Sequence, residues 1–147
     1  MKLMERLKMK NKLEQKPYFK NVEEGDKVFG LVFGPGVVDS VWGDGFYKFE
    51  VRYTNGHTVP YTMEGIPGWS GKLDFQTIFY ADDVDLSDFD HEINLDVLTV
   101  KQIIKLRIKG KLEIQCPSLI WQSIDKCPSY VMEDYLEQNE LNRFRKA

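Results

Sequence analysis

Few residues in this chain have the types and spacing that chemistry requires. Gly68-Trp69-Ser70-Gly71-Lys72 sets a serine between glycines, but an exposed nucleophile elbow needs glycine where Lys72 stands. The run Gly65 to Lys72 also carries a Gly-Lys pair at the wrong spacing for a phosphate loop. Leu73 follows it, where a magnesium-binding hydroxyl belongs. Gly34-Pro35-Gly36 leads into a strand, so no helix start offers its amides to a dinucleotide. His57 and His91 stand without a neighbouring nucleophile and read as surface residues. Cys116 and Cys127 lack Cys-x-x-Cys spacing, and each precedes Pro-Ser, which suits small apolar side chains entering turns. Asp83-x-Asp85 and Asp88-x-Asp90-x-Glu92 invite a calcium reading. A calcium loop needs glycine at its sixth position, and Asp88 or Ile93 stands there instead. The expectation is a protein that is not an enzyme, with no catalytic residue, metal or cofactor.

The aromatic residues point to binding. Trp42, Tyr47, Tyr53, Tyr61 and Trp69 crowd the first half of the chain, more than a small interior readily absorbs. Trp69, Tyr47 and Tyr61 are the expected anchors of a partner or ligand surface, with Arg52 or Lys72 as charge partners, because binding hot spots favour Trp, Tyr and Arg. The glycines at 65, 68 and 71 would let the Trp69 loop adapt. Trp42 and Trp121 read as core residues.

These side chains need elements to position them. Lys27 to Phe33 alternates as a strand, Gly34-Pro35-Gly36 turns the chain, and residues 36–42 return. Gly43-Asp44-Gly45 turns it again into a strand over 46–53. Asn55-Gly56 predicts a two-residue hairpin turn with positive φ at both positions, followed by a strand from Thr58 to Met63. Thr77 to Tyr80 closes the set. Thr99-Val-Lys-Gln102 is a capping box that starts a helix over 100–109, which Gly110 ends. A strand over 111–116 and a partner over 119–124 form a hairpin. Pro128 opens a last helix with Tyr130, Val131, Tyr135 and Leu136 as its apolar stripe.

Composition sets the outer limits. The chain of 147 residues is long enough for one domain, or for two small units sharing a core. Its 42% hydrophobic and 29% charged residues place it in the soluble globular class. A net charge of -3 disfavours duplex DNA as a partner. No apolar run is long enough to span a bilayer, so no membrane is expected. Residues 1–19 read as a basic arm, 20–81 as a β-barrel, 82–96 as an acidic linker and 97–147 as an α+β unit. The two unpaired-looking cysteines suit the cytoplasm.

Gly25-Asp26-x-Val28, Phe33-Gly34-x-Gly36-x-Val38 and Phe49-Glu-Val51-Arg-Tyr53 together resemble the SH3-like and Tudor-like barrels of CarD-type polymerase binders and UvrD-type helicase tails. Tyr61-Thr-Met-Glu-Gly65 before Ile78-Phe79-Tyr80 is similar to a small barrel of phage-encoded proteins. Gly110-Lys111, Ile114-Gln115, Trp121 and Phe144-Arg145 resemble a phage and prophage helix–hairpin module. The fold this implies is α+β: a small SH3-like β-barrel followed by a helix–β-hairpin–helix unit. The function it implies is a phage-type accessory protein in the bacterial host cytoplasm. Such a protein would inhibit a host defence system by blocking a host protein or sequestering a small nucleotide ligand. The alternative is a modulator docking on RNA polymerase or a helicase through its barrel. A homo-oligomer is compatible with either.

Overall fold

The computed structural model describes residues 18–43, 45–86 and 97–147. The basic arm as far as residue 17, Asp44 and the stretch 87–96, which holds His91 and most of the acidic linker, lie outside the described residues.

Five antiparallel strands form the first sheet: β1 (Lys27–Gly30), β2 (Gly34–Val41), β3 (Phe49–Tyr53), β4 (Thr58–Tyr61) and β5 (Ile78–Tyr80). Their order is β4-β3-β2-β1-β5, a meander whose last strand returns beside the first. A bulge interrupts the β2–β3 register between Val38 and Ser40, leaving Asp39 as the extra residue. Such an insertion bends its strand and tightens the twist. The sheet curls into a half-barrel around Phe19, Val28, Val38, Phe49, Val51, Tyr53, Val59, Tyr61 and Ile78. Phe19 is buried here, so the half-barrel recruits chain from the segment expected to be a free arm.

The second half follows with α1 (Val100–Ile108), β6 (Leu112–Gln115), β7 (Trp121–Ser123), α2 (Ser129–Glu137) and β8 (Phe144–Lys146). Thr99 caps α1 through a complete capping box with Gln102, and Gly110 ends it at φ 71°. The mixed sheet-and-helix content is that of an α+β chain. The expected two-stranded hairpin is instead a three-stranded sheet in the order β7-β6-β8, because Phe144 to Lys146 pairs with β6. Tyr130 is exposed, and Met132 takes its place on the buried face of α2.

One apolar core serves both halves. Leu31 and Val32, which leave β1, and Leu73 from the long β4–β5 connection pack with Ile103, Leu106, Leu136 and Phe144. Phe33 and Trp69 lie against this core and against the half-barrel interior as well. Arg107 Nη2 donates to Val32 O at 2.9 Å, and Ser70 Oγ donates to Glu137 Oε2 at 3.0 Å. Polar bonds thus cross the same junction as the apolar contacts.

Candidate interaction surfaces

The five expected binding residues lie on four segments: Tyr47 before β3, Arg52 on β3, Tyr61 on β4, and Trp69 with Lys72 in the β4–β5 connection. Tyr61 is buried, against the expectation of a surface anchor, and its phenol is hydrogen-bonded to that of Tyr53. Alternation along β4 turns Tyr61 inward with Val59. Burial, reinforced by the neighbouring Tyr53, pushes the Tyr61 phenol well above its ordinary range. Trp69 is half-buried and packs against both cores as a lid on their junction.

Its loop is pinned rather than adaptable. Gly68 N donates to Pro60 O at 2.8 Å, and a Cβ on Gly68 would lie 2.7 Å from the Pro60 ring. Ser70 Oγ accepts from Lys72 N at 3.1 Å and from Leu73 N at 3.2 Å while donating to Glu137. Lys72 itself is exposed at the edge of that turn. Arg52 stands on the outer face of β3, paired with Asp39 Oδ1 at 3.1 Å. Tyr47 is half-buried and meets Phe46 edge to face, with ring centroids 5.1 Å apart.

Phe46 is the residue that sequence reasoning missed. The sequence places it in a strand, but β3 begins at Phe49, which leaves Phe46 in the turn at 74% exposed. Trp42 at the other side of that turn is 38% exposed, not core, and its N–H donates to Lys48 O at 2.7 Å. Val37 is exposed on the outer face of β2, beside the Asp39–Arg52 pair, whereas Val41, past the bulge, is the register partner of the inward-facing Phe49 and is exposed at the end of the strand. The β2–β3 turn therefore presents Trp42 and Phe46, with the half-buried Tyr47 against Phe46, beyond the end of β2. Gly43 and Gly45 set between Trp42 and Phe46 were the available signal.

The remaining candidates for chemistry are engaged locally. Asp83 Oδ2 accepts from Tyr18 Oη at 2.8 Å, and Tyr18 Oη accepts from Tyr80 N at 3.1 Å, so the start of the acidic linker is tied to the half-barrel. Burial and the bond to Asp83 raise the Tyr18 phenol above its ordinary range. Partial burial and nearby carboxylates push Tyr80 up to about 12. Among the described residues no three His, Cys, Asp or Glu side chains cluster as metal ligands. His57 is exposed with its ring 4.8 Å from that of Phe33. Cys116 and Cys127 are free thiols, and burial raises the Cys127 thiol.

Trp121 is half-exposed on the outer face of the three-stranded sheet rather than in the core. The Arg145 guanidinium lies over its ring at 4.3 Å and bonds Glu113 Oε1 at 2.8 Å. Gln115, the register partner of Trp121, accepts from Arg143 Nη1 at 2.8 Å through its side chain. Gln115 and Trp121 thus lie side by side, Gln115 engaged by Arg143 and Trp121 covered by Arg145.

Among the described residues no helix is long and apolar enough to cross a membrane. Compared with protein-family models, curated proteins and solved structures, the chain matches nothing.

Proposed function

We propose that this is a non-catalytic binding protein of phage type that blocks a host protein, docking through the β2–β3 turn of its half-barrel. The observation that carries this reading is the exposure of Phe46 and Trp42 around Tyr47, with Val41 exposed at the adjoining end of β2. Large apolar side chains held in water have no folding benefit there, and aromatics supply much contact area for little lost rotamer entropy. The Asp39–Arg52 pair beside them offers a polar rim. The strand order, with β5 returned beside β1, supports the SH3-like reading of the half-barrel.

Sequestration of a nucleotide is the less favoured form of this activity. The hollow beside α2 is lined by Glu133, Asp134 and Glu137, whose charge opposes a phosphate. Docking on a polymerase or helicase by strand addition is also less favoured. Tyr61 bridges to Pro67 beside β4, and Tyr80 N on β5 is taken by the Tyr18 hydroxyl.

The test is capture from bacterial host extract by the tagged protein and by a Trp42→Ala/Phe46→Ala variant, with thermal melts of both. A host protein held by the parent and lost by the equally stable variant supports the reading. Identical captures by the two overturn it.

A further inference from the structure

Two hairpins in this chain turn with the same hydrogen-bond pattern, and they fill its demanding position differently. In the β3–β4 hairpin Gly56 N donates to Tyr53 O at 2.9 Å, and Tyr53 N donates to His57 O at 2.8 Å. In the β6–β7 hairpin Leu119 N donates to Cys116 O at 2.8 Å, and Cys116 N donates to Ile120 O at 2.8 Å. Each is a three-residue loop whose last residue takes left-handed backbone. Gly56 does so at φ 94°, which glycine reaches without steric conflict. Leu119 does so at φ 71°, where its Cβ crowds the backbone. Burial does not compensate, since Leu119 is 66% and Ile120 64% exposed. Folding alone would place glycine or asparagine at this position.

The surroundings indicate what the leucine meets. Pro117 of the same loop and the exposed Tyr130 of α2 line one open hollow of about 290 Å³, together with Glu133, Asp134 and Glu137. No basic residue is among those lining it. An apolar prominence therefore stands beside a carboxylate-rimmed depression. We propose that this turn and hollow dock a basic amphipathic segment of a partner protein. Its apolar side chains cover Leu119, Ile120 and Tyr130, and its lysines or arginines face the three carboxylates. A second copy of this chain fits less well, because facing copies would bring like charges together. This surface is separate from the β2–β3 turn and stands or falls independently of it.

The experiment uses the full chain and a labelled helical peptide of Lys and Leu, read by fluorescence anisotropy. Leu119→Gly is expected to raise the thermal midpoint and yet weaken the peptide at least about tenfold. Glu133→Gln/Asp134→Asn is expected to weaken it too and to flatten its salt dependence. The proposal is overturned if Leu119→Gly binds the peptide as the parent does, or if that variant melts lower. Equal binding of a Glu and Leu peptide also overturns it. So does a dimer in sedimentation that Leu119→Gly dissolves, which would make a second copy the occupant. Deletion of residues 1–16 that tightens peptide binding about tenfold would instead assign the surface to the chain's own basic segment.

Discussion

Arg107 Nη2 donates to Val32 O at 2.9 Å, joining α1 to the chain that leaves β1, while Nε and Nη1 of the same guanidinium are buried without a hydrogen-bond partner among the described residues. Burial lowers its basicity, which shows that the folded state penalises this charge. One bond is gained and a desolvation penalty is borne, so the two largely offset. Arg107→Met, which keeps the apolar stem and removes the charge, should stay within about 1 kcal/mol of the parent in urea unfolding. Arg107→Ala also empties the stem's place at the junction and should lose about 2 kcal/mol. Equal losses in both variants would show that the hydrogen bond, not the packing, is the larger contribution.

Gly30 is fixed by Tyr53. A Cβ on Gly30 would lie 2.5 Å from the Tyr53 hydroxyl oxygen and 3.1 Å from two ring carbons. The ring cannot retreat easily, because its hydroxyl bonds Tyr61 inside the half-barrel. Gly30→Ala should therefore destabilise by about 1–3 kcal/mol through overpacking. Adding Tyr53→Phe removes the nearest atom, so the double variant should lose less than the sum of the singles. Strict additivity in chemical denaturation would count against this contact.

The β3–β4 turn corrects the sequence expectation in a way that substitutions can read. Asn55-Gly56 predicted two positive φ angles, but only Gly56 has one, at 94°. Asn55 instead uses its side chain, whose Oδ1 accepts from His57 N at 3.1 Å. Gly56→Val should lose about 1–2 kcal/mol, because a branched side chain tolerates that backbone poorly. Asn55→Ala should lose under about 1 kcal/mol, the worth of one exposed hydrogen bond. A larger loss at Asn55 than at Gly56 in thermal melts would restore the two-residue turn.

What the sequence disclosed was local. The capping box at Thr99 and Gln102, the glycine end of α1 and the alternation of β3 depend on residues a few positions apart, and each stands as expected. What it hid depends on distant partners. Nothing near Leu31 and Val32 indicates that they enter a core built by α1 and α2. The pairing of β8 with β6 spans the whole last helix and has no turn signal between them. The candidate surface was blurred for the same reason. Aromatics in a short barrel divide between inside and outside by register: β3 starts three residues late and leaves Phe46 exposed in the turn, while the alternation of β4 turns Tyr61 inward.

Trp69 tests the lid at the junction. The side chain is half-buried and packs against both cores from a loop whose backbone is held by Pro60 and Ser70. Trp69→Ala should lower stability by about 2–3 kcal/mol, below the usual range for a fully buried aromatic because part of the ring is already in water. Partner capture per folded molecule should not change. Capture lost with an unchanged melt would return Trp69 to the binding surface.

Burial of Tyr53 and Tyr61 couples the fold to alkaline pH. Burial raises both phenols, and the Tyr53–Tyr61 contact adds to the rise for Tyr61. The folded state thus holds these protons more tightly than the unfolded chain, whose tyrosines ionise near pH 10. Below that pH the contribution to stability is fully present. Above it the unfolded chain releases protons that the folded chain keeps, so stability falls as pH rises toward the folded values. Tyrosinate absorbance should therefore show a step that coincides with loss of circular dichroism. A Tyr53→Phe/Tyr61→Phe variant, followed by the same two signals, should lose about two phenols from that step. Ionisation of the full complement of tyrosines with the dichroism intact would refute the buried pair.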